Sequence, residues 1–310
     1  MNSLRETAEE YLSIRRALGY KLVGQGRLLA GFVCYLEETG ASVITTELAL
    51  SWARGSAGSS RLNQHQRLSV VRGFARHCQG LDPRTEVPAA DLLPARFNRR
   101  VPYLYTPDEI ASLMQAARGI RHPLRAATYE TLVGLLAATG MRVGEAIGLD
   151  REDVDIPGGR LLVRCGKNGK SREVALHPTT TEALAAYASR RDAHCPRPRS
   201  PGFYLSIAGT RLDYRSVWHE FDRMRRQARL DERAQSRPRP PRLHDLRHAF
   251  VLRTLLGWYR DGVDVAVRLP LLSTYLGHVD PVSTYWYFEA APELLALAAE
   301  RLDLAWGDLT

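Results

Sequence analysis

Six polar side chains stand out for what they could do together: Arg142, Lys167, His244, Arg247, His278 and Tyr287. They lie in the segments ATGMRVGEAIGL, RCGKNGKSREVAL, LHDLRHAF and LGHVDPVSTYWYF. Two arginines, a lysine and two histidines can surround one phosphate, with a tyrosine near enough to attack it. Each guanidinium holds two phosphate oxygens in a planar fork, which an ammonium cannot imitate. A pair of them would stabilise the added negative charge of a five-coordinate phosphorus. A free phenol has a pKa near 10, so at neutral pH its anion is disfavoured by about 4 kcal/mol. Nearby arginines lower that cost, and a histidine can accept the proton. No carboxylate cluster accompanies the set to hold a metal, and no cofactor is called for. The chemistry indicated is phosphoryl transfer on a nucleic-acid backbone through a covalent tyrosine.

Individual roles follow from position. Gly140 ends a helix, so Arg142 falls at the start of the next, where backbone N–H groups also favour an anion. Arg247 follows His244 by three residues, which puts both on one face of a helix, and His244 is the expected proton acceptor. Tyr285 rivals Tyr287 as nucleophile, but two helical steps turn it about 200° away, so one of the two faces the site. Lys167 occupies a hairpin tip, a place for a general acid serving a leaving 5′ oxygen, with Lys170 competing on the same turn. Glu145, one turn after Arg142, either orients an arginine or makes an ordinary ion pair. His278, after Leu276-Gly277, could donate a hydrogen bond to the phosphate. His248 is expected to point elsewhere and to be structural.

The elements that must position these groups are mostly helical. Residues 1–80 read as four helices, with apolar markers Leu4, Ala8, Tyr11, Leu12 and Ile14 in the first and Leu28, Leu29, Phe32, Val33 and Leu36 in the second. Trp52 sits in the third, entered from Thr45-Thr46 as caps, and Leu68, Val70, Val71 and Phe74 line the fourth. Residues 81–105 are proline-rich with little periodicity. Thr106-Pro107-Asp108-Glu109 then restarts the chain with a capping box. The expected fold class is mainly α: a helical first domain over 1–98, a linker at 99–106, and a mostly helical α/β second domain over 107–310. Its β element is a hairpin over Arg160–Val174, whose strands flank Asn168-Gly169. Residues 231–243 form a basic, proline-rich loop.

Composition bounds the partners. The 310 residues carry a formal charge of +9, of which +5 lies in residues 1–100. Positive charge on both parts favours a polyanion that the protein wraps. Cys34, Cys78, Cys165 and Cys195 form no CxxC pair, so neither a zinc site nor a disulfide framework is expected. The N-terminus has no apolar signal core, and no run approaches the ~18 apolar residues of a membrane span. A soluble, cytoplasmic protein with free thiols is the expectation.

In this order, the segments TGMRVGE, GKNGKSREV, HDLRH and LGH, followed nine residues later by Tyr287, resemble the tyrosine recombinase (phage integrase) family. The resemblance selects Tyr287 over Tyr285 and Lys167 over Lys170. It implies a four-helix core-binding domain and a catalytic domain closing as a clamp on double-stranded DNA. The tyrosine would form a 3′-phosphotyrosine link and free a 5′ hydroxyl, with neither ATP nor metal. All six catalytic positions match. The resemblance also implies a tetramer on two DNA sites, with residues 291–305 as a helix docking on a neighbouring protomer. The segment YRDGVDVAVRLPLLSTYLGH looks like recombinases of transposon-type elements that act with sister recombinases. The rivals are a type IB topoisomerase and a DNA-binding protein that keeps the fold without the chemistry.

Overall fold

The computed structural model describes residues 3–55, 59–94, 101–164, 171–234 and 240–277, apart from the side chain of Arg233. The chain divides into two compact units, Met1–Arg100 and Val101–Thr310. The first holds α1 (Leu4–Ala17), α2 (Val23–Glu38), α3 (Thr46–Arg54) and α4 (Arg61–Gln79), the four helices expected over residues 1–80. Ser3, Thr45 and Ser60 open three of them, each hydroxyl accepting from a first-turn N–H, of Glu6, Leu48 and Asn63 respectively. Those N–H groups have no partner inside the helix, which is why short oxygen-bearing side chains recur there. Leu29, Phe32, Leu36, Leu68, Val71 and Phe74 are buried between the helices, with Phe32 edge-on to Trp52 at 5.2 Å. Arg67 of α4 lies 3.7 Å over the Trp52 ring and donates to the Trp52 carbonyl, so one side chain ties α4 to α3. Ile14 departs from expectation and stays 47% exposed. Six residues past the buried Ala8 it has turned about 240° round the helix, off the inward face.

The second unit begins as its sequence demands. Thr106 caps α5 (Pro107–Arg118), and its backbone N–H donates back to Glu109. Glu109 also accepts from the Tyr103 hydroxyl at 2.5 Å. α6 (Pro123–Thr139) is buried on nearly every side through Leu124, Tyr129, Leu132, Val133, Leu135 and Leu136, and α5, α8 (Pro178–His194) and α11 (Asp245–Arg260) pack around it. An all-round apolar helix can be stable only in such a place. Each fully buried leucine contributes about 1.5–3 kcal/mol relative to exposure.

After α6 come the short α7 (Val143–Gly148) and an antiparallel sheet of β1 (Val154–Asp155), β2 (Arg160–Val163) and β3 (Arg172–Ala175) in that order. The hairpin of β2 and β3 is the expected one, with Val163 paired to Arg172. Its connection runs over residues 164–171, and the Asn168-Gly169 turn lies outside the described residues. β1 is an addition that no periodicity announced. Beyond α8 the chain continues through α9 (Tyr214–Gln227), α10 (Leu230–Arg233), α11 and α12 (Val265–Leu276). Val251, Leu255, Leu269, Leu272 and Leu276 pack α12 on α11 in a smaller cluster. Among the described residues, no helix is long and apolar enough to cross a membrane.

Candidate active site

The site is assembled where α6 stops. Gly140 ends that helix in the left-handed region, φ +62°, a conformation that costs an L side chain about 1–2 kcal/mol. Its N–H closes on the Leu136 carbonyl at 3.0 Å. The turn leaves Arg142 at the N-cap of α7, as the sequence predicts. The Arg142 backbone N–H donates to Glu145 Oε2 at 3.1 Å, and its Nη1 donates to Glu145 Oε1 at 2.8 Å. The side chain keeps 25% exposure, so it is held yet open to a ligand.

The second arginine comes from α11. Arg247 is buried, 2% exposed. Its Nη1 donates to the Gly140 carbonyl at 2.8 Å and its Nη2 to the Leu276 carbonyl at 2.9 Å. One planar group thus ties the end of α6 to the end of α12. Asp245 is also buried, accepts from the Arg242 backbone and guanidinium, and so fixes the turn that leads into α11. His244 stands at the N-cap of α11 with helical backbone angles, φ −66° and ψ −23°, one turn ahead of Arg247, whose N–H donates to the His244 carbonyl at 3.1 Å. Desolvation by the surrounding protein, and then the charge of Arg247, holds the imidazole below its ordinary value. His248 does not point away: its ring packs edge-on against His244, centroids 4.9 Å apart.

A third arginine, absent from the expected set, completes the frame. Arg172, the first residue of β3, donates through Nη1 and Nη2 to Glu145 at 3.2 and 2.8 Å. Its Nε donates to the Tyr275 carbonyl at 2.8 Å. Arg142 Nη2 reaches the Gly277 carbonyl at 3.4 Å. Three guanidiniums therefore take the carbonyls of Tyr275, Leu276 and Gly277, the orphan acceptors at the end of α12. Glu145 is an arginine-bridging carboxylate. Burial would push its pKa up, but the hydrogen bonds and charge of Arg172, with those of Arg142 behind them, hold it below the usual range. Its ionised form thus stabilises the fold above the ordinary carboxylate pKa, and that contribution is lost as pH falls through the depressed value.

Arg142, His244 and Arg247 are brought to one place, whereas Lys167, His278 and Tyr287 lie outside the described residues, with Lys170, Tyr285 and the 291–305 segment. A further tyrosine, Tyr275, is committed to structure. Its hydroxyl donates to the Ala175 carbonyl at 3.1 Å, and burial pushes the phenol up to about 12. The signal that could have found Arg172 is the period of two along REVA. Val174 is fully buried, so residue 172 faces the same way. An arginine turned inward needs a carboxylate partner.

Known proteins resemble this chain over most of its length. The model of the phage integrase family matches residues 104–293. The integrase/recombinase y4rB of Sinorhizobium fredii is 42% identical over 316 residues, covering all of both chains. The tyrosine recombinase XerD of Mycobacterium tuberculosis is 31% identical over 237 residues, 75% of this chain and 71% of that one. Among solved structures, the Tn1549 transposon integrase in complex with transposon right-end DNA shares the fold, with a TM-score of 0.65 over 96% of this chain and 99% of that one at 16% identity. The chain belongs to the phage integrase family of tyrosine recombinases.

Proposed function

We propose that the protein is a site-specific DNA recombinase that cleaves and rejoins duplex DNA through a 3′-phosphotyrosine, serving the movement of a mobile genetic element. The observation that carries this reading is the convergence of Arg142 and Arg247 on the end of α12, beside His244, in a chain that runs on to His278 and Tyr287. Tyr287 attacks the scissile phosphorus, its phenolic proton passes to His244, and the bond to the 5′ oxygen breaks as Lys167 protonates it. Arg142 and Arg247 neutralise the charge that builds on the non-bridging oxygens, and His278 adds a hydrogen bond there. A 5′ hydroxyl from the partner duplex then reverses the step and releases the tyrosine. The phosphodiester energy stays in the covalent joint, so rejoining needs no nucleotide hydrolysis.

Exchange between two duplexes, each bound by two protomers, calls for a tetramer. The resemblance of YRDGVDVAVRLPLLSTYLGH to recombinases of multi-recombinase elements supports sister recombinases as partners. We assign sequence recognition largely to the first unit, and the work of the protein to the cytoplasm. The formal charge of +9 supports extensive phosphate contact, so affinity falls steeply with salt.

The reading is tested by covalent trapping. Purified protein is mixed in EDTA with a nicked DNA carrying the site it binds, and the denatured adduct is digested and sequenced. An adduct whose DNA-linked peptide is joined at Tyr287 is expected. A site that is bound but never linked, or linked at Tyr285, would overturn the assignment. The pH profile tests His244. Its lowered pKa keeps it neutral at pH 7, as a proton acceptor must be, so single-turnover cleavage is expected flat through neutrality. The rate should fall as the solution becomes more acidic than the ordinary histidine pKa of about 6.5. His244→Gln should be slow and lack that acid limb; an unchanged limb would assign it to another group.

A further inference from the structure

We propose that Arg172 is a positioning residue for strand cleavage, setting Glu145, through it the Arg142 guanidinium, and with them the end of α12. This rests on the reading of Arg142 as a phosphate-binding residue. All three edges of the Arg172 fork are engaged: two N–H groups on the Glu145 carboxylate and Nε on the Tyr275 carbonyl. Its flat face lies against Gly277, where an added Cβ would come within 2.8 Å of Nη1 and 3.0 Å of Cζ. Gly277 also takes φ +67°, so both the turn and the stacked guanidinium exclude a side chain there. The side chains of Arg172 and Glu145 are only 11% and 8% exposed, where an ion pair is screened far less than at the surface.

Two consequences reach Arg142. Glu145 Oε1 takes Nη1 of both arginines, so the carboxylate cannot rotate for one without moving the other. The second consequence is electrostatic. One carboxylate beside one arginine would cancel the charge that a phosphate is meant to meet. With Arg172 taking both carboxylate oxygens, the three groups together keep a net positive charge, and Arg142, the more exposed arginine, presents it. Arg172 also anchors the last turn of α12, immediately ahead of His278. It touches no reacting atom itself; it acts through the residues it holds.

The test uses the full-length protein on the same nicked DNA, with single-turnover cleavage at saturating DNA measured beside DNA affinity and thermal melting. Arg172→Lys keeps the charge but cannot form the fork. A misplacement of about an ångström at a catalytic group costs roughly 100-fold, so cleavage should slow by about 10- to 100-fold while affinity changes less than about threefold. Arg172→Gln serves the same comparison if the lysine variant does not fold. A double-mutant cycle with Glu145→Gln separates positioning from general support. If Arg172 works largely through Glu145, the double variant cleaves far less slowly than the product of the two single penalties, and any loss beyond Glu145→Gln alone reports the hold on the Tyr275 carbonyl. Penalties that multiply, or a rate unchanged by either replacement, would overturn the proposal. A wild-type protein that binds the site and forms no adduct would instead remove the underlying reading, and this proposal with it.

Discussion

Arg247→Lys is expected to slow single-turnover DNA cleavage by about 100- to 1,000-fold, the range for loss of one preorganised donor at a developing charge. The argument starts from burial. Arg247 is 2% exposed and holds the carbonyls of Gly140 and Leu276. A guanidinium carries five N–H donors in one fixed plane, enough to grip two carbonyls and also engage an anion. A lysine brings three donors on a single rotatable tip and cannot span the same geometry. Structural and chemical losses must be separated, because hydrogen bonds from a charged donor are worth about 1.5–3 kcal/mol each. Lysine keeps the charge and much of the volume, so its melting temperature should fall less than that of Arg247→Ala. Both variants should still retard DNA, since affinity draws on phosphate contacts spread over the chain. A lysine variant that folds and cleaves at the wild-type rate would remove Arg247 from the reaction.

What was legible in the sequence was local. The hydroxyl-and-glutamate frame around Pro107, the helix stop at Gly140 and the strands flanking residues 164–171 depend on neighbours a few positions away. Each is where the sequence places it. β1 has only two residues, too few to show an alternation. Arg172 was missed for a different reason. Its partners are Glu145, 27 residues away, and the Tyr275 carbonyl, 103 residues away. A backbone acceptor leaves no trace in residue type. Glu145 was visible as a carboxylate beside an arginine, but which arginine needed it depended on bringing β3 against the end of α12.

Gly140→Ala is expected to be the most destabilising single methyl in the site, by about 2–5 kcal/mol. Two independent costs add. At φ +62° an L residue is strained by about 1–2 kcal/mol. The new Cβ would also stand 2.5 Å from Phe250 Cδ1 and 3.3 Å from Leu276 Cδ2, an overpacking worth about 1–3 kcal/mol. Turning the Phe250 ring aside would disturb its stacking on Tyr275, where the centroids are 6.0 Å apart. Relief also comes from moving α11 away from α6, and Arg247 sits on α11 one turn before Phe250, bonded to the Gly140 carbonyl itself. Stability and cleavage should fall together, with melting lowered by roughly 10 °C at 2–4 °C per kcal/mol for a unit of this size. Gly257→Ala is the matched control on the same helix. Its Cβ meets nothing within 4 Å, and replacing a helical glycine by alanine adds about 0.5–1 kcal/mol. If Gly140→Ala melts with the wild type while Gly257→Ala behaves as stated, the close approach of α6 and α11 at Gly140 is not what holds Arg247 in place.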